Sequence, residues 1–135
     1  MALFDRLGRW LEQQVDSIAV PDAIREDLAR GKQALEQGEL TGAEQRLARA
    51  ADAAPDHAAS WYFLGLSQLR QGRADDAAAA LGRACELRPK EFRFHVALAE
   101  ALRADARPER AMASYKRALQ CRAEEALLDR VYGGL

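Results

Sequence analysis

The chain has 135 residues, 49% hydrophobic and 30% charged, with 20 basic side chains against 21 acidic ones. This is the composition of one folded domain or one short array of repeats, not of a disordered chain. The near-zero net charge excludes a generic electrostatic grip on nucleic acid, no apolar run is long enough to span a bilayer, and the two cysteines, Cys85 and Cys121, lack metal-ligand spacing and read as free thiols in a reducing, cytoplasmic setting.

About a fifth of the residues are alanine, while β-branched residues are scarce. Alanine has the best helix propensity, and strands draw on β-branched residues. The chain is therefore expected to be all-α, with eight helices near 3–18, 22–37, 41–53, 58–71, 74–87, 92–105, 108–121 and 123–132. In the first, Leu3, Leu7, Leu11, Val15 and Ile18 form one stripe with Phe4 and Trp10 beside it, and Asp5, Arg6, Arg9, Glu12 and Asp16 lie opposite. Three uses fit this stripe: packing on the next helix, docking or dimerisation, and lying on a membrane surface. Packing comes first and the membrane surface last, since the polar face lacks the positive excess that anionic lipid favours. The segment lacks the basic leader and cleavage site of a signal peptide. Val20-Pro21-Asp22 is the turn after it, so residues 1–21 are set apart from 22–135.

From there the punctuation is periodic. Pro55 and Pro89 are 34 residues apart, and Ala43, Ala77 and Ala111 recur at that step. So do Leu47, Leu81 and Tyr115, then Ala50, Ala84 and Ala118, then Gly31, Gly65 and Ala99. A period of 34 in a helical chain means stacked helix-turn-helix units. Within one unit, Gly72 ends the first helix, Asp75 and Asp76 sit in the first turn of the second, and Pro89 closes it. Past the third unit, Leu127, Leu128, Val131 and Tyr132 give an amphipathic segment, expected to fold as a capping helix over an open apolar face.

The pattern Trp61, Leu64, Gly65, Ala77, Leu81, Ala84, Pro89 resembles the tetratricopeptide repeat (TPR). Gln68 replaces the family's usual tyrosine, and Leu81 a frequent phenylalanine. The resemblance covers about three repeats, 24–57, 58–91 and 92–125. It implies a right-handed α-solenoid of helix pairs, followed here by the capping helix near 123–132. Asp27 stands at the tryptophan position of the first copy, and Ala123 at the closing proline of the third.

The resemblance also implies an activity: holding protein segments in a concave groove lined by the first helix of each pair. Carried over, the groove is Leu28, Lys32 and Leu35 from the first pair, Tyr62, Phe63, Leu66 and Leu69 from the second, and Arg93, Val96, Glu100 and Arg103 from the third. The carboxylate clamp of one chaperone-binding subset maps to Leu28, Lys32, Phe63, Arg93 and Ala97. Only Lys32 and Arg93 suit that chemistry, so the groove fits an apolar or amphipathic segment with some acidic character better.

Nothing argues for catalysis. His57 follows Pro55 in a turn, and His95 stands where Trp61 stands one repeat earlier. Asp75-Asp76 and Glu124-Glu125 read as helix-end charges. A phosphate loop, a metal motif and a nucleophile elbow are all missing. The expectation is a non-catalytic scaffold that binds a protein or peptide partner, with no cofactor, metal, nucleic acid or membrane contact. The alternative is a structural or self-assembly subunit that uses the Leu3–Ile18 helix to form a homo-oligomer or to pack on a larger chain.

Overall fold

A computed structural model describes Val20 and residues 22–133. The expected amino-terminal helix, with Leu3, Phe4, Leu7, Trp10, Leu11, Val15 and Ile18, lies outside the described residues. The described chain is all-helical: α1 (Asp22–Glu36), α2 (Leu40–Ala53), α3 (Ala58–Arg70), α4 (Ala74–Leu87), α5 (Phe92–Ala104) and α6 (Pro108–Tyr132). They form three antiparallel pairs, α1–α2, α3–α4 and α5–α6, each stacked on the next through α2–α3 and α4–α5 contacts.

The pairs close because small residues face large ones. Gly31 lies against Leu47 and Gly65 against Leu81, and both leucines are fully buried. Ala43, Ala50, Ala77, Ala84, Ala111 and Ala118 are buried at the same register, which lets the backbones approach. Burying a leucine fully stabilises the fold by about 1.5–3 kcal/mol, so Leu47 and Leu81 anchor their repeats.

Turns repeat with the same period. Gly38 (φ +80°), Gly72 (φ +82°) and Ala106 (φ +57°) are each left-handed and follow a first helix. In each case the next residue's N–H donates back across the turn: Glu39 to the Ala34 carbonyl, Arg73 to Gln68 and Arg107 to Leu102, all at 2.9 Å. This is the six-residue C-terminal closure that favours glycine. Between repeats, Trp61 Nε1 donates to the Pro55 carbonyl at 2.8 Å. His95 Nε2 makes the matching bond to the Pro89 carbonyl at 2.7 Å, so His95 is a buried structural stand-in for tryptophan. In the first repeat Asp27 takes this position and accepts from Arg46 at 3.1 Å.

One expected boundary is absent. The separate capping helix near 123–132 is the unbroken continuation of the preceding one, since α6 runs 25 residues from Pro108 to Tyr132. Ala123 sits where Pro55 and Pro89 end the earlier units, and the following Glu124, Glu125, Ala126, Leu127 and Leu128 are mostly good helix formers. The segment therefore projects onward along α6 and does not fold back across it.

Candidate concave interface

The first helices touch one another across repeats, α1 with α3 and α3 with α5, whereas the second helices do not. The stack therefore bends with α1, α3 and α5 inside. Side chains that these helices do not use for pairing line the inner surface.

A row of contacts crosses all three. Lys32 on α1 lies over the Phe63 ring, its Nζ 5.0 Å from the centroid. Phe63 meets Tyr62 edge-on at 5.1 Å. Tyr62 in turn stacks on Phe94 of α5, with centroids 4.7 Å apart and planes 29° apart. Such ring pairs contribute about 0.5–1.5 kcal/mol beyond area burial. Tyr62 and Phe63 are both half-buried, so each leaves part of its ring open. Burial pushes the Tyr62 phenol above its ordinary pKa; nearby Arg93 opposes this, while Glu91 and Glu100 add to it.

Of the expected groove residues, Leu28, Leu66, Leu69 and Val96 are half-buried, and Lys32, Arg93, Glu100 and Arg103 are exposed. Leu35 is different: it packs in the core with Leu47, Ala51 and Leu64 and has almost no surface to offer. Ala97 is likewise buried, against Ala77, Leu81 and Ala101. Arg93 is not a lone cation. Its Nε donates to Glu91 at 3.1 Å, and this bond holds the guanidinium pKa above its usual value. Arg70 Nη1 donates to the Leu35 carbonyl at 3.2 Å, which ties the end of α3 to that of α1.

Phe94 is the residue that sequence reasoning missed. It is buried at one end of the aromatic row and fixes Tyr62 from below. Its counterpart one repeat earlier is Ser60, so periodicity carried no aromatic signal there.

Among the described residues no cluster of His, Cys, Asp or Glu could hold a metal ion, and no helix is long and apolar enough to cross a membrane. Burial pushes the Cys85 thiol up to about 12 and the Cys121 thiol upward as well. Neither cysteine is poised as a nucleophile, because the thiolate is the reactive form.

Solved structures share this architecture. A point mutant of MamA superimposes with a TM-score of 0.70 at 26% identity, covering 76% of this chain and 75% of that one. MamA from MSR-1 gives 0.72 at 26% identity, over 90% and 68% of the two chains. A point mutant of the Thermobaculum terrenum O-GlcNAc transferase gives 0.69 at 31% identity over 75% of this chain, but only 19% of that enzyme. No curated protein matches the sequence. The tetratricopeptide repeat model matches residues 28–91 and again 66–126. The chain, with its 34-residue register and paired helices, belongs to the tetratricopeptide repeat family.

Proposed function

We propose that this protein is a non-catalytic interaction module that holds a peptide or helix of a partner protein along the inner face of α1, α3 and α5. The observation that carries this reading is the aromatic row. Tyr62 and Phe63 leave ring surface open in a concavity, held in place by Lys32 and Phe94. Rigid, half-open aromatic side chains bind at low entropic cost and are typical anchors of interfaces. Lys32 and Arg103 stand exposed on the same helices, with Glu100 the opposing charge. The segment best matched to this surface is apolar or amphipathic, with acidic residues placed for the two cations.

A random-peptide display selection against the folded protein tests the proposal. The enriched sequences should pair apolar residues with acids. Their binding should fall at least tenfold in the Lys32→Glu/Arg103→Glu variant, whose altered side chains are exposed and outside the core. Enriched peptides that bind this variant as well as wild type would place the interface elsewhere. The second reading, a self-assembly subunit, gains from a different surface, at the far end of the array.

A further inference from the structure

The two ends of the array differ in chemistry. In α3 the positions that pack on the preceding repeat are Ser60, Leu64 and Ser67, all buried, and in α5 they are Phe94, Leu98 and Ala101. One period earlier, in α1, the same positions hold Glu26, Arg30 and Gln33, which are exposed. Arg30 and Glu26 pair there at 3.1 Å. At these positions the described amino end of the stack is therefore polar.

At the other end the pattern is reversed. The position that meets the next repeat is Ala51 in α2 and Cys85 in α4, 1% and 8% exposed, but Leu119 in α6 is 69% exposed. Met112, Leu127 and Val131 are also exposed on α6, at 57–60%. These four are the exposed large hydrophobic side chains among the described residues, and all lie on this helix. A soluble repeat array normally carries a polar surface at each terminus, and large apolar side chains gathered in the open on one helix mark a contact site. Because α6 continues straight, its own carboxyl-terminal turns do not fold back over these side chains.

The chain contains one apolar stripe with no counterpart so far, the seven large residues between Leu3 and Ile18. It joins the array at α1, whose outward face is polar. It cannot reach the outer face of its own α6. Among the described residues that helix packs on α5 alone, and α1 touches only α2 and α3. Residues 19–21 span about 10 Å when extended, against several helix layers at roughly 8–10 Å each. A second copy has no such restriction. We propose that residues 3–18 of one copy dock on the Met112, Leu119 and Leu127 face of α6 in the next, giving a head-to-tail assembly. The contact is heterologous, so it propagates into chains or closes into a ring, unlike a symmetric dimer.

Light scattering coupled to size exclusion on the full chain tests this. Wild type should show mass above the monomer, rising with concentration. Leu119→Glu on its own, and Leu7→Glu/Leu11→Glu on its own, should each lose every species above the monomer. Leu119 is exposed, so the first variant should keep its far-ultraviolet dichroism and melting temperature. Mixed one to one, the two variants retain one intact surface each and should form a heterodimer and nothing larger. A wild type that stays monomeric at every concentration overturns the proposal, as does assembly that survives Leu119→Glu, or a mixture that fails to pair. Assembly lost in the Lys32→Glu/Arg103→Glu variant but kept in Leu119→Glu would put the segment in the groove instead. Because Leu119 is remote from the groove, peptide binding by the Leu119→Glu monomer reports on the groove independently.

Discussion

Gly65 and Leu81 share a space that has no room for a methyl group: a Cβ added to Gly65 would stand 2.5 Å from Leu81 Cγ and 3.3 Å from the Ala77 carbonyl oxygen. Gly31 and Leu47 stand in the same relation one period earlier, at 2.7 Å. The family's small-residue position is thus a packing requirement between the two helices of a repeat. Alanine is the better helix former by about 1 kcal/mol, so an exposed glycine would gain from the change. Here overpacking should prevail, and Gly65→Ala should lose up to about 2 kcal/mol net. A chemical denaturation midpoint equal to or above wild type would show that Leu81 yields freely.

Ala77 is fully buried at the same contact. Ala77→Leu should overpack it and cost about 1–3 kcal/mol, read as a lowered melting temperature.

Ala106 suggests a change in the favourable direction. It adopts φ +57° at the turn where the other two repeats use Gly38 and Gly72. A left-handed L-residue carries about 1–2 kcal/mol of strain. Glycine relieves this but adds freedom to the unfolded chain. The net expectation for Ala106→Gly is a gain of roughly 0.5–1 kcal/mol, visible as a higher denaturation midpoint. A loss would mean that the turn tolerates alanine without strain.

Alkaline stability follows from Cys85. Burial raises its thiol pKa from 9.0 to about 12 in the fold. Between those values the unfolded chain has lost the proton and the folded chain keeps it. The unfolded state then binds fewer protons, so stability falls as pH rises. The raised Tyr62 phenol adds to the loss in the same direction above about 10. Cys85→Ala should flatten the cysteine part of this decline between pH 9 and 12, measured by melts across the range. An unchanged slope would show that Cys85 does not contribute.

Tyr62 and Phe63 serve both the groove and the core, since Phe63 also packs on the cluster around Leu47 and Tyr62 on those around Cys85 and Leu81. Truncating both to alanine would therefore lower stability as well as binding. Tyr62→Phe is the cleaner probe. It keeps the stack on Phe94 and removes only the hydroxyl, so stability should change by less than about 1 kcal/mol. Any larger loss in peptide affinity would then report a hydrogen bond made by that hydroxyl to the partner.

Much of the fold was legible because it is periodic. The boundaries of the first five described helices fall within one residue of those expected, as Gly38, Gly72, Pro55 and Pro89 mark them with local chemistry. The break expected near residue 122 came from counting periods, and nothing in Cys121-Arg122-Ala123 enforces it. The site was less legible. Leu35 carries the spacing of a groove residue, yet the pairing of α1 with α2 turns it into the core beside Leu47. Phe94 is legible only in three dimensions, since its role depends on Tyr62 reaching across from α3. The contrast between the exposed Arg30 and Leu119 is written in the sequence, but it becomes readable only when burial is compared across repeats.

The measurement closest to the central claim is amide chemical-shift mapping of a selected peptide on the isotope-labelled Leu119→Glu protein. Perturbations concentrated on α1, α3 and α5, with Lys32, Phe63, Tyr62 and Arg103 among the largest, are the predicted result. Perturbations confined to α2, α4 and α6 would contradict the account, because the partner would then bind the outer face and leave the aromatic row unused.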